Sequence, residues 1–339
     1  LKKLAKTADV MVETFPPGYL EEMGLGYEAL RKLNPRLVLT SITPFGQTGP
    51  YRDFKGPDMI AQAMGGLMYL AGSLEDPPHR IYGSQAYHSA SVVAVVGTMV
   101  ALYARELTGE GQQVDVSLQE SVSMAMETAM QTYDIKKEIR RRQSRPAAIP
   151  GLGVYECKDG HVFSYIVAGS GAGWDVIVDL MDSEGMAGDL KDPKWDEIWA
   201  LVSDIRSLLA LATDREALTA RIEQLGHVDE VYAAFLASHT KVEIYEGAAE
   251  RRIMIVPVQT AKDLVDSPQL AALGYFADVE HPELGATLKY PGAPYQIPEA
   301  PWRIHRRAPL IGEHNSEVYE KELGFTREKL AILKQEGAI

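Results

Sequence analysis

Up to about residue 140 the chain alternates short β-like runs with helical stretches, and this alternation predicts an α/β layer architecture. Val10-Met11-Val12 and Leu37-Val38-Leu39-Thr40-Ser41-Ile42 are apolar or β-branched and bounded by turn residues, as buried parallel strands are. Tyr27 to Leu33 has helical spacing and stops before Asn34-Pro35. Val92 to Leu102 is the longest apolar stretch; Gly97 and Thr98 interrupt it, and it is too short to span a bilayer. It is expected to be the middle of a core-buried helix from Ser89 to Glu106, ended by Thr108-Gly109. Gln113 to Val116 reads as a strand. Ser117 with Glu120 three residues on predicts a capping box at the next helix. Met124, Met126 and Met130 in that region are expected to fill core space.

A second domain is predicted by a change of pattern. Residues 144–153 are rich in Pro and Gly and read as a linker. Val154-Tyr155-Glu156-Cys157 and His161 to Ile166 then flank Lys158-Asp159-Gly160, a hairpin signature. Helical segments follow at Asp175 to Met181, Trp195 to Leu211 and Arg215 to Leu225, giving a small α+β domain. The expected organisation is a large α/β domain over 1–143, the linker 144–153, the small domain 154–258, and a segment 259–339 returning to the large domain.

Composition narrows the function. A chain of 339 residues can bury a large core, and 46% hydrophobic with 24% charged residues is ordinary for a globular protein. Cys157 is the only cysteine, which excludes an internal disulfide and a cysteine-rich metal site and fits a cytoplasmic location. No secretory signal, membrane partner or metal is expected. A net charge of −13 argues against nucleic acid. One basic run, Lys136, Lys137, Arg140, Arg141, Arg142 and Arg145, reads either as a solvated helix end or as an anion contact.

Ordered blocks carry the functional signal. Ala8-Asp9-Val10-Met11-Val12-Glu13-Thr14-Phe15-Pro16-Pro17-Gly18 comes first, followed by Gly24-Leu25-Gly26-Tyr27 and Phe45-Gly46-Gln47-Thr48-Gly49-Pro50-Tyr51. Thr108-Gly109-Glu110-Gly111-Gln112 precedes Val114-Asp115-Val116-Ser117-Leu118. His281-Pro282-Glu283-Leu284-Gly285 and Ala308-Pro309-Leu310-Ile311-Gly312-Glu313-His314-Asn315 close the series. With these blocks the chain resembles the class III CoA-transferases, which include formyl-CoA transferase, carnitine CoA-transferase and α-methylacyl-CoA racemase.

The resemblance implies a Rossmann-like large domain with a small α+β domain, and two chains threaded into an interlocked dimer. It also implies that the chain opens inside the fold, beyond a Rossmann-like segment that supplies part of the CoA surface. The substrates would be a coenzyme A thioester and a carboxylic acid. The family's turn along the nucleotide corresponds to Glu13 to Gly18, so Thr14 and Phe15 are expected CoA contacts, and Lys55 matches a CoA-contacting lysine. Thr14 stands where the family has Asn, and Glu22 stands where several members carry Arg; both are expected to weaken the site.

These transferases act through an aspartate nucleophile, because a carboxylate can attack a thioester carbonyl and later leave again. Alignment back from Leu102, Arg105, Gly109 and Gly111 places that position at Tyr87, or at Ala86 with one extra residue. Neither is acidic, and a phenol is almost un-ionised at neutral pH. Glu75 and Asp76 match an ordinary turn, and His88 reads as structural. The racemase branch uses a His–Asp pair, and its His is replaced in Gly56-Pro57-Asp58. The family's glycine-rich loop is reduced to Pro150-Gly151-Leu152-Gly153, and Gly169, Gly171 and Gly173 form another glycine stretch. No catalytic residue is assigned in this chain. The expectation is a transferase subunit paired with a homologous Asp-bearing chain, as in transferases acting on aryl-substituted succinates. A homodimeric pseudoenzyme used for binding, and a homomeric transferase with an unrecognised nucleophile, stay open.

Overall fold

The computed structural model describes residues 1–142, 149–166, 171–204, 206–207, 210–211 and 215–339. The chain divides into two compact units, one of residues 1–144 with 312–339 and the other of residues 145–311. Residues 259–311, which the sequence reading grouped with a return segment, fall in the second unit.

The first unit is built on a parallel sheet in the order β1 (Val10–Glu13), β2 (Val38–Thr43), β3 (Gln113–Ser117). Val10 pairs with Val38, and Leu39 with Gln113. The central strand is buried from Val38 to Ser41, which is why it reads as a continuous run rather than an alternating one. Its polar members are satisfied inside: Thr40 Oγ1 lies 2.6 Å from Thr98 Oγ1, and Gln113 Nε2 donates to Ser41 Oγ at 3.2 Å.

Against β2 and β3 packs the Gln85–Thr108 helix, which is 24 residues long. It ends at Gly109, whose φ of 80° suits a left-handed helix terminus. Its buried residues are Ala86, Ala90, Ala94, Ala101 and Arg105. The expectation of a core-buried valine-rich helix is therefore wrong. Val92 is 65% exposed and Leu107 74% exposed, and Val95, Val96, Met99, Val100 and Tyr103 share the open surface. The reason is close approach: a Cβ at Gly97 would stand 2.8 Å from Val114 Cγ1, so the middle of the sheet-facing side takes small residues. The whole helix is also long and apolar enough to cross a bilayer by length and composition. Here its small-residue face lies on the sheet, and Arg105 pairs with Asp9 at 2.9 Å and donates to the Arg36 carbonyl at 3.1 Å.

Of the expected capping box, the structure shows the Ser117 arm: its Oγ accepts the Glu120 N–H at 3.2 Å and starts the Leu118–Ser123 helix. Met124 and Met130 are exposed, while Met126 is half-buried beside Gly66. Met124 and Met126 lie on a 3-10 turn and Met130 on the Glu127–Lys136 helix that follows it.

The second unit has an antiparallel sheet of β4 (Leu152–Cys157), β5 (Gly160–Tyr165) and β6 (Ile255–Pro257). β4 and β5 form the expected hairpin, with Cys157 paired to Gly160. The Trp174–Ser183, Asp196–Val202, Arg215–Ala237 and Lys241–Glu250 helices supply its core with Trp174, Ile177, Met181, Leu225 and Tyr232. The segment expected as one helix from Trp195 to Leu211 is helical at Asp196–Val202, leaves the helix at Ser203 and Asp204, and among the described residues beyond them is helical again at 206–207 and 210–211. A separate hairpin, β7 (Phe276–His281) and β8 (Ala286–Pro291), turns through Pro282 to Gly285. Buried His281 bonds Glu283 at 2.8 Å and Tyr290 Oη at 3.0 Å, so this sequence block serves the turn.

Candidate active-site cavity

The site lies in the first unit, where β1 and β2 end, the usual place for ligands in open parallel sheets. β1 stops at buried Glu13, whose Oε2 accepts the Phe15 N–H at 2.7 Å. That bond and the fixed φ of Pro16 and Pro17 set the Thr14-Phe15 turn. β2 runs into Pro44. There the loop of residues 49–57 folds back, because a Cβ on Gly56 would meet Pro44 Cβ at 2.8 Å. Phe45, Tyr51 and Phe54 stiffen that loop, with Tyr51 and Phe54 stacked at 5.1 Å and Phe45 edge-on to both.

These segments enclose a cavity of about 560 Å³, a size suited to part of a small-molecule ligand. Thr14, Phe15, Lys55 and Tyr87 all line it. Distant sequence positions are thus brought together: both elements of the Thr14-Phe15 turn, the lysine, and Tyr87, one of the two positions that the resemblance aligns with an aspartate. Of the two alignments for that position, Ala86 is fully buried in the core and Tyr87 is 44% exposed at the cavity wall.

Asp58 orients this helix start. Its Oδ1 accepts the Ala86 N–H at 2.8 Å and the Tyr87 N–H at 3.4 Å, while Oδ2 accepts from Gln62 Nε2 at 2.7 Å. Gln62, itself fully buried, accepts the Ile81 N–H at 3.0 Å through its other side-chain atom. Asp58 is therefore a helix cap that satisfies donors the helix cannot pair itself.

Other residues weighed from sequence lie elsewhere. Glu22 is exposed and is not among the cavity-lining residues, nor are Glu75, Asp76 and His88. Arg142 of the basic run donates to the carbonyls of Tyr69, Ser73 and Asp76 at 2.8, 3.1 and 3.1 Å, clamping a turn. Arg145 and Gly169 lie outside the described residues. Gly151 is fixed in the second unit: its N–H donates to Tyr155 Oη at 2.7 Å and its carbonyl accepts from Ser164 Oγ at 2.8 Å. Gly171 packs on the Arg252 carbonyl, where a Cβ would come within 2.4 Å.

Sequence reading missed Arg52 and Asp53. Both line the cavity, paired at 3.2 Å. The signal was available in Lys55 three residues on, since a short stiff loop presents neighbouring side chains to one opening. With Arg52, Asp53 and Lys55 as its charged lining, the cavity carries two positive charges and one negative, net +1, on a chain of net charge −13.

Comparison with known proteins places this geometry. The model of CoA-transferase family III matches residues 1–315, and the chain belongs to that family. It is 36% identical, over its whole length and 78% of the relative's, to the BbsE subunit of succinyl-CoA:(R)-benzylsuccinate CoA-transferase from Thauera aromatica. It is 33% identical to a formyl-CoA:oxalate CoA-transferase from Streptomyces avermitilis, covering all of this chain and 80% of that one. Among solved structures, a CAIB/BAIF family protein from Brucella suis superposes with a TM-score of 0.77 at 25% identity, over 94% of this chain and 77% of the other.

Proposed function

We propose that this member of CoA-transferase family III is a subunit without a nucleophile of its own, which moves CoA between an acyl-CoA and a carboxylic acid together with a homologous Asp-bearing chain. The observation that carries the reading is Tyr87, which meets the cavity at the helix start where the resemblance expects the aspartate. Similarity to a protein named as a subunit of a benzylsuccinate transferase supports both the pairing and an arylsuccinate as one substrate. Thr14, Phe15 and Lys55 would hold part of the CoA thioester: Phe15 by its exposed ring, Lys55 by its charge. The two chains would interlock. Lone, buried Cys157 agrees with a cytoplasmic complex.

In this reading the partner's carboxylate attacks the acyl-CoA carbonyl, the C–S bond breaks, and a mixed anhydride and CoA thiolate form. The thiolate attacks the aspartyl carbon of the anhydride, releasing the donor acid and leaving an aspartyl-CoA thioester. Attack by the acceptor carboxylate expels the thiolate again and forms a second anhydride. The thiolate then takes the acceptor's acyl carbon and frees the aspartate.

A second reading has one observation behind it. Asp53 is a carboxylate among the described cavity-lining residues, so a homomeric transferase would have a candidate nucleophile there. Its 77% exposed side chain is ion-paired with Arg52, and a carboxylate so placed is a poorer nucleophile. Mass spectrometry separates the two readings. The chain alone, incubated with succinyl-CoA, should carry no hydroxylamine-sensitive adduct. Mixed with an Asp-bearing homologue, the adduct should map to that chain, and Tyr87→Asp should acquire one of its own. An adduct on the unaltered chain overturns the proposal, and one mapped to Asp53 establishes the homomeric reading.

A further inference from the structure

We infer that Arg52 binds the phosphate-bearing end of the CoA thioester and makes this cavity discriminate CoA from its unphosphorylated pantetheine portion. The inference rests on the function proposed above and adds to it a residue absent from the expected contact set.

Three observations carry it. Arg52 and Lys55 stand on one short loop and both line the cavity, making a cationic opening on an acidic chain. The loop is preorganised: Tyr51 and Phe54 stack beside Phe45, the Phe54 N–H donates to the Tyr51 carbonyl at 2.9 Å, and Gly56 packs on Pro44. A guanidinium on such a support loses little freedom when it binds an anion. Finally, its partner is the adjacent Asp53, with side chains 42% and 77% exposed. Exposed pairs of this kind contribute little, so exchanging the carboxylate for a phosphate, which accepts two parallel N–H bonds from one guanidinium, is favourable. Glu22, the expected source of repulsion, is not in the cavity lining. The loss of a cation at that position is offset by Arg52.

Calorimetry with CoA and with pantetheine tests this on the full chain, alone or with its partner subunit. Arg52→Gln should bind CoA about 10-fold or more weakly, the scale of one charge-assisted contact, and leave pantetheine binding unchanged. Arg52→Lys should recover part of the loss, and Asp53→Asn should tighten CoA binding. Equal CoA affinity for Arg52→Gln and the unaltered chain would overturn the inference. So would parallel weakening of CoA and pantetheine, which would mark Arg52 as a structural residue. Failure of the unaltered chain to bind CoA at all would instead remove the proposed function, and this inference with it.

Discussion

The Asp58 carboxylate accepts the backbone N–H of Ala86 at 2.8 Å, tying the start of the Asp58–Met64 helix to the first turn of the Gln85–Thr108 helix. The bond does two things at once. It satisfies helix-end donors, and it holds the next residue, Tyr87, at the cavity wall. The Asp58 carboxylate is thus committed to architecture.

Asp58→Ala should therefore destabilise the chain by about 2 kcal/mol, combining a lost cap with a buried Gln62 amide left without its acceptor. Asp58→Asn keeps an acceptor and should cost less. Urea unfolding of both variants measures this. An Asp58→Ala variant as stable as the unaltered chain would mean that the cap carries no weight.

Two glycines should respond differently to the same change. A Cβ at Gly111 would lie 2.0 Å from the Leu37 carbonyl oxygen, which belongs to the backbone and cannot turn aside. Gly111→Ala should lose roughly 1–3 kcal/mol or more. At Gly97 the obstacle is the Val114 side chain, and alanine gains about 1 kcal/mol of helix propensity. Gly97→Ala should stay within about 1 kcal/mol of the unaltered chain. Thermal melts of the pair check the ranking, and the reverse order would contradict the packing described.

Acid should weaken the second unit through Asp263. Lys241 Nζ donates to its Oδ2 at 2.6 Å, and the Thr260 N–H and Oγ1 do so at 2.8 and 2.9 Å. These bonds, Lys241 foremost, hold the Asp263 carboxyl well below its usual range. A depressed folded-state value means that the stabilisation is complete above the ordinary carboxyl value of 3.8 and is lost as pH falls through the folded one. Asp263→Asn should flatten stability against pH in that acidic window. Denaturant midpoints from neutral pH downward provide the readout, and an unchanged slope would refute the assignment.

Much of the fold was legible because its signals are local. Apolar β-branched runs bounded by turns located β1, β2 and β3, and Lys158-Asp159-Gly160 located the β4–β5 hairpin. The face that the long helix buries was not legible. Hydropathy favours putting its valines inside, yet the sheet approaches so closely at Gly97 and Thr98 that alanines take that side and Val92, Val95, Val96 and Val100 are left exposed. Residue volume at the contact outweighed hydropathy. Met124 and Met130 failed for a related reason, since composition does not say whether anything faces a side chain.

By itself the sequence determined the family, the lack of a carboxylate at Ala86 and Tyr87, and the candidate contacts Thr14, Phe15 and Lys55, because ordered blocks preserve register along the chain. Only the tertiary structure decided that Tyr87 rather than Ala86 meets the cavity, that Asp58 is spent on capping, and that Arg52 lines the cavity and Glu22 does not. Those facts depend on which residues from different loops converge where β1 and β2 end. Convergence of that kind follows from backbone packing around Gly56 and Asp58, to which no single stretch of sequence has access.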